Sequence, residues 1–147
     1  AAACQVGAAS VTDDAGLIET MRVVGEHVGI AFQIKDDLFD YGDNNVGKPT
    51  GLDIKEKKMT LPLIYALNQS GSSERSKIIN LIKNKGDKRK AVDEVIQFVL
   101  SKGGFDYAKQ QMEVYKQKAE AILETMPDNA SRKSLGDMLN FVIERKK

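Results

Sequence analysis

Three carboxylates, Asp36, Asp37 and Asp40, stand at the end of a long segment with a helical apolar pattern. At about 100° per residue, Asp36 and Asp40 share one helix face and Asp37 lies at its edge. Four lysines follow in the next stretch of the chain: Lys48, Lys55, Lys57 and Lys58. Carboxylate oxygens suit Mg²⁺, which is usually bound by one or two carboxylates together with phosphate oxygens, and lysines supply positive charge for those phosphates. The pattern predicts a site for magnesium and phosphate.

The electrostatics of this acidic cluster leave two interpretations open. The carboxylates lie at the C-terminal end of the predicted helix, where the macrodipole already places about half a negative charge. At about 6 Å and an effective dielectric near 20, each pair repels by roughly 3 kcal/mol. On an open helix surface the repulsion falls to about 0.2–0.5 kcal/mol. The acids therefore form either a solvated helix end beside a basic loop, or a cavity wall that must bind a cation.

The helix that carries the acids is predicted over 14–41, where no proline occurs and apolar residues recur every three or four positions. The face that leads to the acids carries two glycines, one aromatic residue and polar residues: Gly25, Gly29, Phe32, Gln33, Asp36 and Asp40. The opposite face is apolar: Val23, Ile30, Ala31, Ile34, Leu38 and Tyr41. This pattern indicates a helix buried on one side and lining a cavity on the other. The two glycines leave room for a close approach to the backbone.

The other elements are predicted from capping and periodicity. Thr12 or Asp13 is the expected N-cap of the long helix, and Thr60 the expected N-cap of the helix that begins at Leu61. The stretch 42–58 is expected to be a loop in which Asp53 orients Lys48 or Lys58. Further helices are predicted at 1–10, 61–68, 73–85, 88–102, 105–126 and 132–145. Because no strand pattern occurs, an all-α fold is predicted.

Composition narrows the class of protein. The chain has 147 residues, 41% hydrophobic and 29% charged, which is typical of one globular domain. A net charge of +1 gives no argument for binding nucleic acid or an anionic membrane. No apolar run approaches the length of a transmembrane helix, and the first residues lack the basic region of a signal peptide. Cys4 is the single cysteine, so no disulfide framework is predicted. It is interpreted as a small core residue in a cytoplasmic protein.

The order of the motifs is more specific than the acids alone. The sequence FQxxDDxxD begins at Phe32, GKxxGxD begins at Gly47, and a Lys-Met-Thr-Leu-Pro run begins at Lys58. This string resembles the second aspartate-rich region of the trans-isoprenyl diphosphate synthases, the polyprenyl synthetases that make farnesyl, geranylgeranyl and longer chains. Farther along, a GGxxYA turn that begins at Gly103 also matches the family. The resemblance covers nearly the whole chain.

The resemblance implies a helical bundle of the isoprenoid synthase type, here a partial bundle of about six helices. The family condenses an allylic diphosphate with isopentenyl diphosphate, depends on Mg²⁺, releases pyrophosphate and is usually homodimeric. Its enzymes carry two aspartate-rich motifs, whereas this sequence has one. Residues 1–147 are therefore expected to be the C-terminal portion of a single synthase domain without its N-terminal half. Such a fragment is expected to be inactive alone.

The family's functional residues carry over to specific positions. The residues implied for metal binding are Asp36, Asp37 and Asp40. Asp36 aligns with a direct Mg²⁺ ligand, and the other two align with residues that act partly through metal-bound water. The residues implied for substrate binding are Phe32, Gln33, Lys48 and Lys58. The aspartates and the two lysines together are expected to carry catalysis.

Other interpretations stay open at this point. The chain is alternatively a non-catalytic helical partner subunit or an interaction module derived from the family. A terpene cyclase is a weaker rival, since it is not expected to pair FQxxDDxxD with GKxxGxD. His27 falls on the apolar side of its helix and is interpreted as a packed histidine. The basic residues at 145–147 either complement the end of the last helix or reach the diphosphate of the homoallylic substrate.

Overall fold

The computed structural model describes residues 1–42, 51–86 and 88–144. Within these ranges the chain forms eight helices and no strand: α1 (Ala2–Ala9), α2 (Ala15–Phe39), α3 (Leu52–Lys55), α4 (Leu61–Asn68), α5 (Ser72–Lys85), α6 (Arg89–Ser101), α7 (Gly104–Glu124) and α8 (Ala130–Glu144). The all-α prediction is confirmed, with eight helices in the described residues instead of about six. The short α3 lies in a stretch that was predicted to be a loop.

The chain divides into two compact units. The first combines Ala1–Gln33 with Gln111–Lys146, and the second spans Ile34–Gln110. Both boundaries fall inside helices, because α2 and α7 each contribute residues to both units. In the described residues, no helix is both long enough and apolar enough to cross a membrane.

The first unit contains α1, most of α2, the end of α7 and α8. Its buried apolar side chains are Val24, Ala31, Met112, Ala119, Leu123, Leu139 and Ile143. Gly25 permits α1 to pack closely, because a Cβ atom there would lie 2.8 Å from the Cys4 sulfur. The room predicted at Gly25 is therefore filled by a neighbouring helix. At Gly29 an added Cβ would meet nothing within 4 Å, so the room predicted there is present.

The N-terminus of α2 corrects a capping prediction. Asp14 Oδ1 accepts hydrogen bonds from the backbone N–H groups of Gly16 at 2.8 Å and Leu17 at 3.2 Å. These are the second and third helical residues, which are the donors that an N-cap side chain satisfies. The N-cap is therefore Asp14, and the prediction of Thr12 or Asp13 was wrong. The Thr12 hydroxyl oxygen instead accepts the N–H of Asp14 at 3.1 Å.

The second unit has one continuous apolar core. The cluster comprises Tyr41, Ile54, Leu63, Ala66, Leu67, Ile78, Ile82, Val92, Val95, Ile96, Phe98 and Val99. The i, i+3, i+4 spacing predicted to bury one side of α6 is confirmed, since Val92, Val95 and Val99 are fully enclosed. Helix α6 ends as predicted, with Gly103 in the left-handed conformation just after Lys102. The core therefore rests mainly on α4, α5 and α6.

Gly51 fixes how α3 packs on α6. Its φ is +81°, a left-handed value that L side chains rarely adopt. An added Cβ would lie 2.0 Å from Val92 Cγ1, inside the van der Waals contact distance. Both the conformation and the space therefore require glycine at this position. This close approach places Ile54 of α3 in the core with no exposed surface.

Candidate active site

The C-terminal end of α2 has the two-sided character that its sequence predicts. Ile34 and Leu38 are each 6% exposed, so the apolar face is buried. Asp36 and Asp37 are half-buried, whereas Asp40 is only 8% exposed. The burial of Asp40 distinguishes it from the other two aspartates, because a buried carboxylate requires hydrogen-bond partners.

Both carboxylate oxygens of Asp40 bind the backbone at the start of α3. Oδ1 accepts the N–H of Leu52 at 2.9 Å, and Oδ2 accepts the N–H of Asp53 at 2.7 Å. The Asp40 carbonyl also accepts the N–H of Gly51 at 3.1 Å. Burial raises the pKa of Asp40 above its ordinary value, and the negative charge of Asp53 adds to this, while the backbone hydrogen bonds oppose it. Asp40 thus caps a helix that follows it in the chain.

Asp37 has a similar relation to α4. Its Oδ2 accepts the N–H of Leu61, the first residue of α4, at 3.3 Å. Thr60 occupies the N-cap position as predicted, but its side chain makes no capping hydrogen bond. Its hydroxyl instead lies 2.6 Å from the Tyr41 hydroxyl in a buried hydrogen bond, and burial raises the pKa of Tyr41. The capping carboxylate for α4 therefore comes from Asp37 rather than from a neighbouring residue.

Lys58 is held by two carboxylates. Its Nζ lies 2.7 Å from Glu56 Oε2 and 3.0 Å from Asp53 Oδ1. The hydrogen bond to Glu56, followed by that to Asp53, raises the pKa of Lys58. The prediction that Asp53 orients Lys48 or Lys58 is confirmed for Lys58. The lysine remains largely exposed, so its ammonium group stays accessible to an anion.

The backbone before Lys58 is fixed by a Schellman motif at the end of α3. The N–H of Lys58 donates to the Asp53 carbonyl at 2.9 Å, and the N–H of Lys57 donates to the Ile54 carbonyl at 3.0 Å. Lys57 has φ of 58°, a left-handed value that usually belongs to glycine in this motif. The turn therefore sets the direction in which Lys58 leaves α3.

The predicted substrate residues fall in different places. Lys48 lies outside the described residues, as do the basic residues at 145–147. Gln33 is exposed and Phe32 is half-buried, and both belong to the first unit. Phe32 and Gly29 line an apolar groove of about 250 Å³ within that unit. The groove gives Phe32 an apolar environment of the kind its prediction as a cavity residue requires.

His27 belongs to the first unit and is half-buried. Its ring lies 5.7 Å from that of Tyr115, centroid to centroid. Among the described residues, its Nδ1 is buried without a hydrogen-bond partner. These contacts agree with the interpretation of His27 as a packed histidine.

The chemistry of the donors fits a divalent cation only in part. Among the described residues, no three His, Cys, Asp or Glu side chains converge as a ready metal-binding group. The half-buried carboxylates of Asp36 and Asp37 are hard oxygen donors, and Mg²⁺ takes its other ligands from phosphate and water. Sequence reasoning missed the backbone N–H groups of Leu52 and Asp53 that engage Asp40. The glycine of GKxxGxD is the signal that could have indicated a tight turn there.

Comparisons with known proteins give a consistent result. The family described as polyprenyl synthetase matches residues 1–99. The chain is 33% identical to the geranylfarnesyl diphosphate synthase of Aeropyrum pernix over 150 residues, which cover 99% of this chain and 46% of that protein.

Solved structures agree in fold. The geranylgeranyl pyrophosphate synthase from Bacteroides thetaiotaomicron gives a TM-score of 0.87 at 37% identity, covering 97% of this chain and 47% of that one. The polyprenyl synthase from Caulobacter crescentus, complexed with calcium and isoprenyl diphosphate, gives 0.82 at 30% identity, covering 97% and 44%. The chain spans less than half the length of each of these relatives.

Proposed function

Because the chain belongs to the polyprenyl synthetase family, we propose that it contributes part of the active site of a prenyltransferase that elongates isoprenoid chains. The proposed reaction joins an allylic diphosphate to isopentenyl diphosphate. The carbon–oxygen bond to the allylic diphosphate breaks, a carbon–carbon bond forms to the isopentenyl double bond, and a proton is lost. Pyrophosphate is the leaving group.

The observation that supports this proposal is the connection between the acidic end of α2 and the segment that carries Lys58. Asp40 bonds to the first two residues of α3, and Lys58 lies in the turn that ends α3 and pairs with Asp53. The aspartates proposed to hold the metal and the lysine proposed to bind phosphate therefore belong to connected parts of the second unit. A leaving pyrophosphate requires both kinds of group.

We assign the metal side of the site to the aspartate motif. Asp36 and Asp37 would hold a divalent cation, for which Mg²⁺ is proposed, and Asp40 completes the motif through its contacts to α3. When bound, such a cation supplies positive charge that stabilises the departing pyrophosphate. Calcium occupies the Caulobacter crescentus relative together with isoprenyl diphosphate, which supports a divalent ion.

The remaining residues are assigned to the substrate. Lys48 and Lys58 would bind the oxygens of the allylic diphosphate as cations. Gln33 and Phe32 would lie toward the reacting carbon, where an apolar surface excludes water from the allylic cation. The apolar groove that Phe32 lines supports this part of the proposal.

We further propose that residues 1–147 are the C-terminal portion of one synthase domain and do not turn over alone. The sequence contains one aspartate-rich motif, whereas the resemblance implies two in a whole synthase, and the chain spans less than half the length of its relatives. Formation of product by the purified chain with Mg²⁺ and both substrates would contradict this. The cytoplasmic location inferred from the single cysteine and the homodimer implied by the resemblance stay predictions.

The binding half of the proposal is testable on this chain by thermal unfolding with Mg²⁺ and a bisphosphonate mimic of diphosphate. A ligand that binds only the folded state at 100 times its Kd stabilises by about 2.7 kcal/mol. We expect the unfolding midpoint to rise only when both components are present, and Asp36→Ala to abolish the rise. The matched control is Asp93→Ala, which removes an exposed carboxylate from α6. An equal rise in Asp36→Ala would refute the assignment.

A further inference from the structure

We infer that Asp40 is a positioning residue: by capping α3 it fixes Asp53 and, through Asp53, the ammonium group of Lys58. This inference rests on the proposed diphosphate site, because Lys58 is the cation assigned to it. It separates the aspartate motif into different roles, with Asp40 acting on the basic side of the site. The resemblance, by contrast, implies all three aspartates for metal binding.

The first step is the engagement of the Asp40 carboxylate. Each oxygen accepts one backbone N–H, from Leu52 and Asp53, at 2.9 and 2.7 Å. These bonds are charge-assisted and stronger than bonds between neutral groups. The donors at the start of α3 present positive partial charge to the oxygens, and the side chain is 8% exposed. A cation approaching Asp40 would meet these hydrogens and little open surface.

The second step is the dependence of α3 on its caps. Helix α3 has four residues, far fewer than the roughly 12–15 that a marginally stable isolated helix needs. Its start is held by Asp40 and its end by the Schellman motif at Lys57 and Lys58. Without the carboxylate, the first N–H groups of α3 would lose their side-chain acceptor in a part-buried position. The segment would then lose much of its defined conformation.

The third step leads from α3 to Lys58. Asp53 donates its N–H to Asp40 and pairs through its own carboxylate with Lys58 Nζ at 3.0 Å. The backbone of Lys58 also donates to the Asp53 carbonyl. One residue therefore connects Asp40 to both the main chain and the side chain of Lys58. Replacing Asp40 should therefore disturb the position of Lys58 more than the position of Asp36.

A double-mutant cycle on pyrophosphate binding tests this order. Isothermal titration of the chain with inorganic pyrophosphate and Mg²⁺ would compare Asp40→Ala in three backgrounds: the parent sequence, Lys58→Ala and Asp36→Ala. In the parent sequence, Asp40→Ala should weaken pyrophosphate binding about tenfold. In the Lys58→Ala background it should cause no further loss of affinity, whereas in the Asp36→Ala background it should again cause the full loss. The inference would be overturned if Asp40→Ala weakened binding fully in the Lys58→Ala background and caused no further loss in the Asp36→Ala background.

A conservative variant guards against misfolding. Asp40→Asn keeps one oxygen that can accept the N–H of Leu52 but places an amide NH2 against the N–H of Asp53, so affinity should recover only in part, to about threefold below the parent. Asp36→Asn should not recover, because an amide is a poor substitute for a metal-binding carboxylate. Equal losses in the two asparagine variants would overturn the assignment of different roles.

A ligand-independent measurement separates this inference from the proposed function. Amide hydrogen exchange by NMR should show faster exchange at Leu52 and Asp53 in Asp40→Ala, by at least about tenfold. The pKa of Lys58, followed through its side-chain carbon resonance, should fall toward its ordinary value. Asp53→Asn is the matched control, which should lower the Lys58 pKa and leave the Leu52 exchange unchanged. If the parent binds no pyrophosphate, the proposed function fails, while unchanged exchange and pKa would overturn the inference itself.

Discussion

Two glycines, one in each unit, have opposite surroundings. In the second unit, Gly51 lies against Val92 in a left-handed conformation with no space for a Cβ atom. In the first unit, Gly29 borders a groove where a Cβ would meet nothing within 4 Å. Tight packing thus supports the residues of the polar site, whereas open volume lies beside the apolar groove. The contrast indicates where the chain tolerates added side-chain volume and where it does not.

The largest effect is expected from Gly51→Ala. The left-handed conformation costs roughly 1–2 kcal/mol for an L residue, and overpacking against Val92 costs about 1–3 kcal/mol. We expect a loss of about 2–5 kcal/mol, measured by urea unfolding. Gly136→Ala in α8 is the matched control, since a Cβ there meets nothing within 4 Å. If Gly51→Ala lowered the free energy of unfolding by less than about 1 kcal/mol, the contrast between the tight surroundings of Gly51 and the open surroundings of Gly29 would be contradicted.

A smaller loss is expected from Tyr41→Phe, which removes one partner of the buried Tyr41–Thr60 hydrogen bond. The remaining Thr60 hydroxyl is buried, so leaving it unsatisfied should cost about 1–3 kcal/mol. The double variant Tyr41→Phe/Thr60→Val should recover much of the loss, because both polar groups are then gone. Tyr115→Phe in the first unit is the control. Equal losses for the two tyrosines would contradict the special role of this bond.

Gly29→Ala should change stability in the opposite direction. Glycine in a helix interior is less stable than alanine by roughly 0.5–1 kcal/mol, and α2 has space for the methyl group at this position. We expect a gain of about this size in denaturant unfolding. Destabilisation would mean that the open space at Gly29 is filled in solution.

The smallest effect on stability is expected from Phe141→Ser. Phe141 is 73% exposed, so the free energy of unfolding should change by less than about 0.5 kcal/mol. Exposed apolar residues on the first unit also include Val6 and Val11, and such patches favour association. Sedimentation velocity should show less self-association in Phe141→Ser. The control is the buried residue Leu139, where Leu139→Ala should cost about 2–5 kcal/mol, as much as Gly51→Ala.

Much of the fold was readable from the sequence, because long helices repeat their apolar pattern over many turns. The buried sides of α2 and α6 came directly from that period. The N-cap of α2 was misplaced because Thr12, Asp13 and Asp14 are all good capping residues, and only the register of the first turn decides between them. Helix α3 was missed because four residues carry no periodicity, and its position depends on contact with α6.

The candidate site was predictable in composition and less so in geometry. The motif identified Asp36 and Lys58, and the pairing of Lys58 with Asp53 followed from local charge. The contacts of Asp40 were not predictable. A helical projection shows which face of the helix a residue occupies, but it does not show which later part of the chain packs against that face. The left-handed conformation of Lys57 could not be predicted either, because lysine does not favour that conformation.

The hydrogen bond from the Gly51 N–H to the Asp40 carbonyl has a consequence for how this part of the second unit opens locally. Together with the two bonds from the Asp40 side chain, it makes three consecutive backbone N–H groups, those of Gly51, Leu52 and Asp53, depend on one residue. Bonds that share one partner are expected to break together, so these three residues should open as one cooperative unit.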